Sequence, residues 1–277
     1  MNNLAVRTLS SAVFTAVMVA GLLLHPVAYG ALFLVVMTVC MQEFFSMSLG
    51  TRFLLQQKIA LLAAAFTFTL VLCSLSFNLS LSFLGFALLP LLAIPVSFLF
   101  RPDHSDAGDI SFVFTALLYV ALPLCLSPVL VFPANGPFCG FPLLSVFILI
   151  WSCDVGAYCV GTALGQRPGA RKLAPGISPK KSWWGFWGGV ALSMCASAAL
   201  HFLGWMPYGL IHCVALGAVV AVAGVAGDLF ESLWKRYFGV KDSGNCIPGH
   251  GGMLDRFDSS LVAIPAAVLY LALTNLL

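Results

Sequence analysis

Within residues 228–258 fall five acids, four bases, one histidine and five glycines, in a chain that is only 8% charged. Asp228, Glu231, Ser232 and Lys235 stand at i, i+3, i+4 and i+7, so a helix running through them presents all four on one face. Asp255 and Asp258 repeat the i, i+3 spacing, and Asp154 lies in an apolar run two residues before Gly156. Carboxylates at membrane depth are costly unless they meet cations or a wet cavity. For an isolated charge near a helix end a plain ion pair is explanation enough, for instance Asp228 neutralised by Lys235. The density of polar groups in residues 228–258 favours a functional site instead.

Hard oxygen ligands without clustered His or Cys suit Mg²⁺ better than zinc or copper. Magnesium keeps water and binds one or two carboxylates together with substrate phosphate. Lys235, Arg236, Lys241 and Arg256 complement phosphate oxygens. Glycines 244, 249, 251 and 252 let backbone N–H groups approach the same oxygens. The stretch from Arg167 to Lys181, with Ser178-Pro179-Lys180-Lys181-Ser182, brings more positive charge and ends where a helix N-terminus adds its dipole. The residues therefore point to a metal-assisted reaction of phosphate-bearing substrates at one membrane face. Neither a Walker motif nor a strand-borne GxGxxG is present, so nucleotide binding of those soluble kinds is not indicated.

The elements that must position these groups follow from composition. The chain has 277 residues, 61% of them hydrophobic, with a mean hydropathy of +1.02. Soluble domains are about a quarter charged, so a water-soluble globule, a disordered chain, a collagen-like repeat and a secreted disulfide scaffold are all excluded. A net charge of +3 is too small to argue for nucleic acid. The expected class is an all-α polytopic membrane protein. Charge-poor runs near 9–24, 27–47, 59–76, 79–100, 110–132, 140–160, 183–204, 208–229 and 259–277 give about nine spans. The first two are divided at His25-Pro26, because Pro disfavours helical geometry in the residue before it. The third and fourth meet at Asn78.

With nine spans, all 13 Lys and Arg residues sort to one side, that of the amino terminus. Positive charge stays in the cytoplasm during insertion, so the amino terminus is expected inside and the carboxyl terminus outside. The amino-terminal segment lacks the pattern of a cleaved signal peptide. Residues 1–139 form an expected amino-terminal transmembrane region. Residues 140–277 form a catalytic one, with cytoplasmic loops 161–182 and 230–258. The nine cysteines lie mostly inside spans, show no CxxC pair and are expected as small hydrophobes. His25, His104, His201 and His212 are scattered; only His250 sits among polar residues.

At the cluster the sequence resembles the phosphatidate cytidylyltransferases, also called CDP-diacylglycerol synthases. That family's signature is matched by Ser232, Lys235-Arg236, Lys241-Asp242, Ser243-Gly244, Ile247-Pro248, His250-Gly251-Gly252, Asp255-Arg256 and Asp258. The likeness extends to Gly227-Asp228, to Asp154 with Gly156 and Tyr158, and to Ser178-Pro179-Lys180-Lys181. The first 140 residues match only as hydrophobic helices. Trp234 replaces an aliphatic residue and Ser182 a threonine. Trp184 stands where an acid or amide is common, so no catalytic part is assigned to it.

The resemblance implies transfer of CMP from CTP to phosphatidate, giving CDP-diacylglycerol and pyrophosphate at the cytoplasmic face of the inner cell membrane. Asp228 and Asp255 are expected to hold a two-metal Mg²⁺ centre, with Glu231, Asp258 and Asp154 as further candidates. Lys235, Arg236, Lys241 and Arg256 are expected to neutralise the triphosphate, with His250 on phosphate or orienting a ligand. Lys180 and Lys181 are expected on the lipid phosphate, and Ser178, Ser232, Gly251 and Gly252 also among the substrate-binding residues. CTP, phosphatidate and the bilayer are the expected partners, and a homodimer is left open. Two competing classes are a CTP-dependent lipid-alcohol kinase, which releases CDP, and a transporter using its intramembrane acids. Against the transporter, no inverted repeat is visible and the polar cluster sits at one face.

Overall fold

The computed structural model describes residues 3–101, 106–132, 136–247, 249 and 251–277. Two compact units form, Met1–Phe138 with Val240–Phe257, and Cys139–Gly239 with Asp258–Leu277. Eight helical stretches among the described residues are long and apolar enough to cross a membrane, and Thr8–Leu23 is a shorter apolar helix. The protein is an all-α polytopic membrane protein.

The first unit begins with α1 (Asn3–Leu23), α2 (Pro26–Ser48) and α3 (Leu54–Ser76). The break at His25-Pro26 is physical. His25 is extended at φ −164°, its Nδ1 accepts the Val27 N–H at 3.2 Å, and Pro26 opens the new helix where no N–H is needed. Asn78, with φ +50°, follows the end of α3. A 3₁₀ stretch, Leu81–Ala87, leads into α4 (Leu88–Leu99). The next span runs from a 3₁₀ turn at Ala107–Ile110 through α5 (Ser111–Ala116) and a π turn at Leu117–Ala121 into α6 (Leu122–Val131). Buried Tyr29 of α2 shares a 2.6 Å hydrogen bond with Ser127 of α6. The carboxy-terminal part of this unit is a loop from Val240 followed by α10 (Leu254–Phe257), which packs on α2. Phe257 there meets Phe14 and Phe33 edge-on.

In the second unit, α7 (Phe141–Ala163) leads to an antiparallel hairpin of β1 (Lys172–Ala174) and β2 (Ser178–Ser182). The hairpin lies inside the segment expected only as a loop. It feeds α8 (Trp183–Phe202), α9 (Leu210–Tyr237) and α11 (Ser260–Leu273). Ser182 caps α8, its hydroxyl accepting the Gly185 N–H at 3.2 Å. At 28 residues, α9 is longer than the ~30 Å hydrocarbon thickness requires, and its charged residues lie in its last three turns. α8 packs against α7 and α9, and α11 against both of those. The α7–α8 seam is made of small residues, as membrane helices that approach closely require. A Cβ on Gly156 would stand 2.6 Å from the Gly188 carbonyl oxygen, and one on Gly189 2.7 Å from the Cys153 oxygen.

Gly156→Ala should therefore force these helices apart and destabilise the protein by about 1–3 kcal/mol. Unfolding in detergent micelles measures this, and an unchanged midpoint would show that the seam yields freely.

Candidate active site

A cavity of about 300 Å³ opens in the second unit. One wall is α7, with Asp154, Ala157, Tyr158, Gly161 and Thr162; another is the hairpin, with Lys180, Lys181 and Ser182; α9 contributes Val225 and Asp228. The close α7–α8 seam sets this geometry, since Gly185 of α8 would touch the Ala157 oxygen at 2.9 Å if it carried a Cβ. Two polar anchors hold the hairpin over α7. Lys172 donates from Nζ to the Gly165 carbonyl at 3.0 Å and to Gln166 Oε1 at 2.9 Å, and Gln166 Nε2 donates to the Lys180 carbonyl at 3.0 Å.

Lys181 forms an ion pair with Asp228, and the Ser232 hydroxyl donates to the other Asp228 oxygen at 3.4 Å. Helix α9 continues through the polar residues as the i, i+3, i+4, i+7 spacing requires, and Lys235 pairs with Glu231 at 2.5 Å. The cation on Asp228 thus comes from the hairpin, 47 residues earlier in sequence. Asp258 lies within electrostatic reach of Asp228, Lys235 and Asp154. Its closeness to α9 depends on Gly227, where a Cβ would come within 2.5 Å of the Asp258 carbonyl oxygen. Ser178 is partly buried on β2, while Lys180 and Arg236 are exposed.

Among the described residues, no three His, Cys, Asp or Glu side chains group closely enough to hold a metal ion. A magnesium ion does not need such a group, because one or two carboxylates and substrate phosphate suffice. Asp154 and Asp228 on one cavity, with Asp258 near both, supply hard oxygen donors of that kind.

The first unit holds the rest of the cluster, in the loop before α10 and in α10 itself. Lys241 and Arg256 are exposed, and His250 lies outside the described residues. Asp255 accepts two backbone N–H groups on one oxygen, from Ser243 at 3.0 Å and Gly252 at 2.8 Å. Gly251 takes φ +83°, and an added Cβ there would sit 2.8 Å from the same oxygen. An antiparallel bridge joins Ile247 to Gly251. The N–H of Gly252, expected to face substrate phosphate, is directed to the protein's own carboxylate.

Sequence reasoning missed Glu43 of α2. Its carboxylate accepts from the Met253 N–H at 3.0 Å, the Leu254 N–H at 2.8 Å and the Ser243 hydroxyl at 3.2 Å. The signal was present, because Glu43 is the sole acid among residues 1–102 and lies in an apolar span. All nine cysteines are free, four of them (Cys40, Cys125, Cys153 and Cys213) buried.

A model of the cytidylyltransferase family matches residues 5–274 of the chain. Over 126 residues the chain is 44% identical to a phosphatidate cytidylyltransferase of Bacillus subtilis, covering 46% of this chain and 45% of that one. Over 146 residues it is 41% identical to the Pseudomonas aeruginosa protein of the same name, covering 52% of each. Over 192 residues it is 40% identical to that of Haemophilus influenzae, covering 67% of this chain and 64% of the relative. The matches thus span about half to two thirds of the length of these relatives.

A double-mutant cycle on Lys181→Ala and Asp228→Ala should give a coupling of about 0.5–1 kcal/mol, since both side chains keep about 30% exposure. Unfolding in micelles reads it out; additive effects would show that the pair contributes nothing to stability.

Proposed function

The chain belongs to the cytidylyltransferase family, and from that premise we propose that it transfers CMP from CTP to phosphatidate, giving CDP-diacylglycerol and pyrophosphate. The names of the relatives support this substrate pair. The observation that carries the proposal is the cavity that sets Lys180 and Lys181 beside Asp154 and Asp228. Cations and carboxylates together on one concave surface suit two polyanions that must be held against their mutual repulsion.

In the reaction a phosphate oxygen of phosphatidate attacks the α-phosphorus of CTP. The bond from that phosphorus to the bridging oxygen breaks, and pyrophosphate leaves in line. The attacking oxygen is ionised near neutral pH, so no general base is required. Lys180 and Lys181 hold the lipid phosphate, with Ser178 and Ser232 as polar neighbours. Lys235 and Arg236 of α9 neutralise triphosphate charge, and Glu231 keeps Lys235 in place. Family resemblance assigns Lys241, His250 and Arg256 to phosphate as well. Asp228, with either Asp154 or Asp258, would hold magnesium, which when bound screens the triphosphate and favours departure of pyrophosphate. Asp255 braces the loop through Ser243 and Gly252. The acyl chains need not leave the bilayer. We infer a cytoplasmic site on the inner cell membrane from the sorting of the basic residues to one side.

The test supplies purified protein with CTP labelled at the α-phosphate, phosphatidate and Mg²⁺. Label in lipid is the expected result; label in CDP would mean a kinase, and no turnover would overturn the proposal. Asp228→Asn should lower turnover at least about a hundredfold while the protein elutes as a folded species in detergent. An active variant would remove Asp228 from the site.

A further inference from the structure

We infer that Glu43, on a helix outside the family signature, is a positioning residue that holds the signature loop in its working shape. The inference rests on the cytidylyl-transfer reading, and its first half, that Glu43 sets the loop, stands on contacts alone. Both Glu43 oxygens are engaged: Oε1 by the Met253 N–H, Oε2 by the Leu254 N–H and the Ser243 hydroxyl. Ser243 is gripped twice, because its backbone N–H goes to Asp255. Two carboxylates therefore pin the two ends of one loop together, one from α2 and one from α10.

The glycines of the loop are shaped to this carboxylate. A Cβ on Gly252 would stand 2.5 Å from Glu43 Oε2, and one on Gly244 would press on Glu43 Oε1. Their lack of a side chain makes room for Glu43, which enters the space a substrate phosphate was expected to use. Backbone N–H groups that could bind an anion are already satisfied by a charge-assisted bond. The segments on either side carry Lys241 and Arg256. With Glu43 removed, Met253 and Leu254 lose their acceptors and these two cations lose their fixed spacing. The effect of substitution should thus fall on the rate of the chemical step, with the fold of the helices retained.

The experiment uses the full chain in detergent micelles and compares wild type with Glu43→Gln, Glu43→Ala and Ser243→Ala. Hydrogen exchange of the 240–257 peptide reads loop closure, and labelled CTP with phosphatidate reads kcat and KM. Glu43→Ala should speed exchange of this peptide about tenfold and lower kcat at least tenfold, with exchange elsewhere unchanged. Glu43→Gln, which keeps one acceptor oxygen and the side-chain length, should recover part of both, and Ser243→Ala should show a smaller loss of each. Wild-type exchange in Glu43→Ala would overturn the inference, and so would faster exchange with full kcat. A higher kcat or a tighter KM for CTP would also overturn it, by making Glu43 a placeholder for phosphate. If Glu43→Ala does not fold, the Gln and Ser243 variants decide by the same two measurements. If wild type transfers no cytidylyl group, the reaction proposal fails while the exchange data still judge the contact.

Discussion

A carboxylate withdrawn from water must be met by donors or cations, and this requirement shapes both units. Glu43 is met by two N–H groups and a hydroxyl, Asp255 by two N–H groups, Asp228 by Lys181 and Ser232, and Glu231 by Lys235. None of these partners is chosen by chance proximity on a polar surface, since the chain has few polar groups to offer. Glu43 and Asp255 tie down the signature loop, Asp228 meets the hairpin, and Glu231 holds the side chain of Lys235 on its own helix. Where the acid is fully buried, as Glu231 is, separating the matched charges is costly; where it is partly exposed, as Asp228 is, the pair is a weaker tether.

Glycine serves two different ends in this scheme. At Gly156 and Gly189 it lets α7 and α8 meet backbone to backbone, which brings the hairpin over α7. At Gly244 and Gly252 it leaves space for a carboxylate. The first use follows from packing without a hydrophobic force between helices, where close van der Waals contact must supply the attraction. The second follows from polarity, because a methyl group would displace the oxygen that satisfies the loop. A glycine-rich sequence alone does not distinguish them.

Much of the architecture was legible in the sequence because lipid imposes a simple rule on length and charge. The break at His25-Pro26, the end of α3 before Asn78 and the shared helical face of Asp228, Glu231, Ser232 and Lys235 are all local, and local spacing reveals them. The pairings were not legible. Spacing within α9 allowed a plain ion pair of Asp228 with Lys235 as the alternative to a functional site, whereas the hairpin delivers Lys181 to Asp228 and leaves Lys235 to Glu231. Gly252 read as an approach to phosphate, but its N–H goes to Asp255, and the sequence does not reveal that Glu43, more than 200 residues away, fills the space beside its Cα. Long-range contacts of this kind follow from tertiary packing, and a single sequence carries only the hint of an isolated acid in an apolar run.

The two lysine pairs of the second unit differ in a way that bears on the proposed reaction. Lys181 and Asp228 keep 28% and 31% exposure, and a pair so placed is worth about 0–1 kcal/mol. A phosphate that replaces Asp228 opposite Lys181 therefore loses little and gains a charge-assisted bond with a more highly charged partner. Lys235 is held by a carboxylate with no exposure at all. Separating that pair would strand a buried charge, at a cost of about 3–5 kcal/mol. Lys235 must consequently stay where Glu231 holds it and act on a substrate only as a fixed source of potential. Differences in burial alone thus sort two identical side chains into an exchangeable contact and a permanent one. The same sorting explains how ion pairing in the resting protein is compatible with a binding role for Lys181.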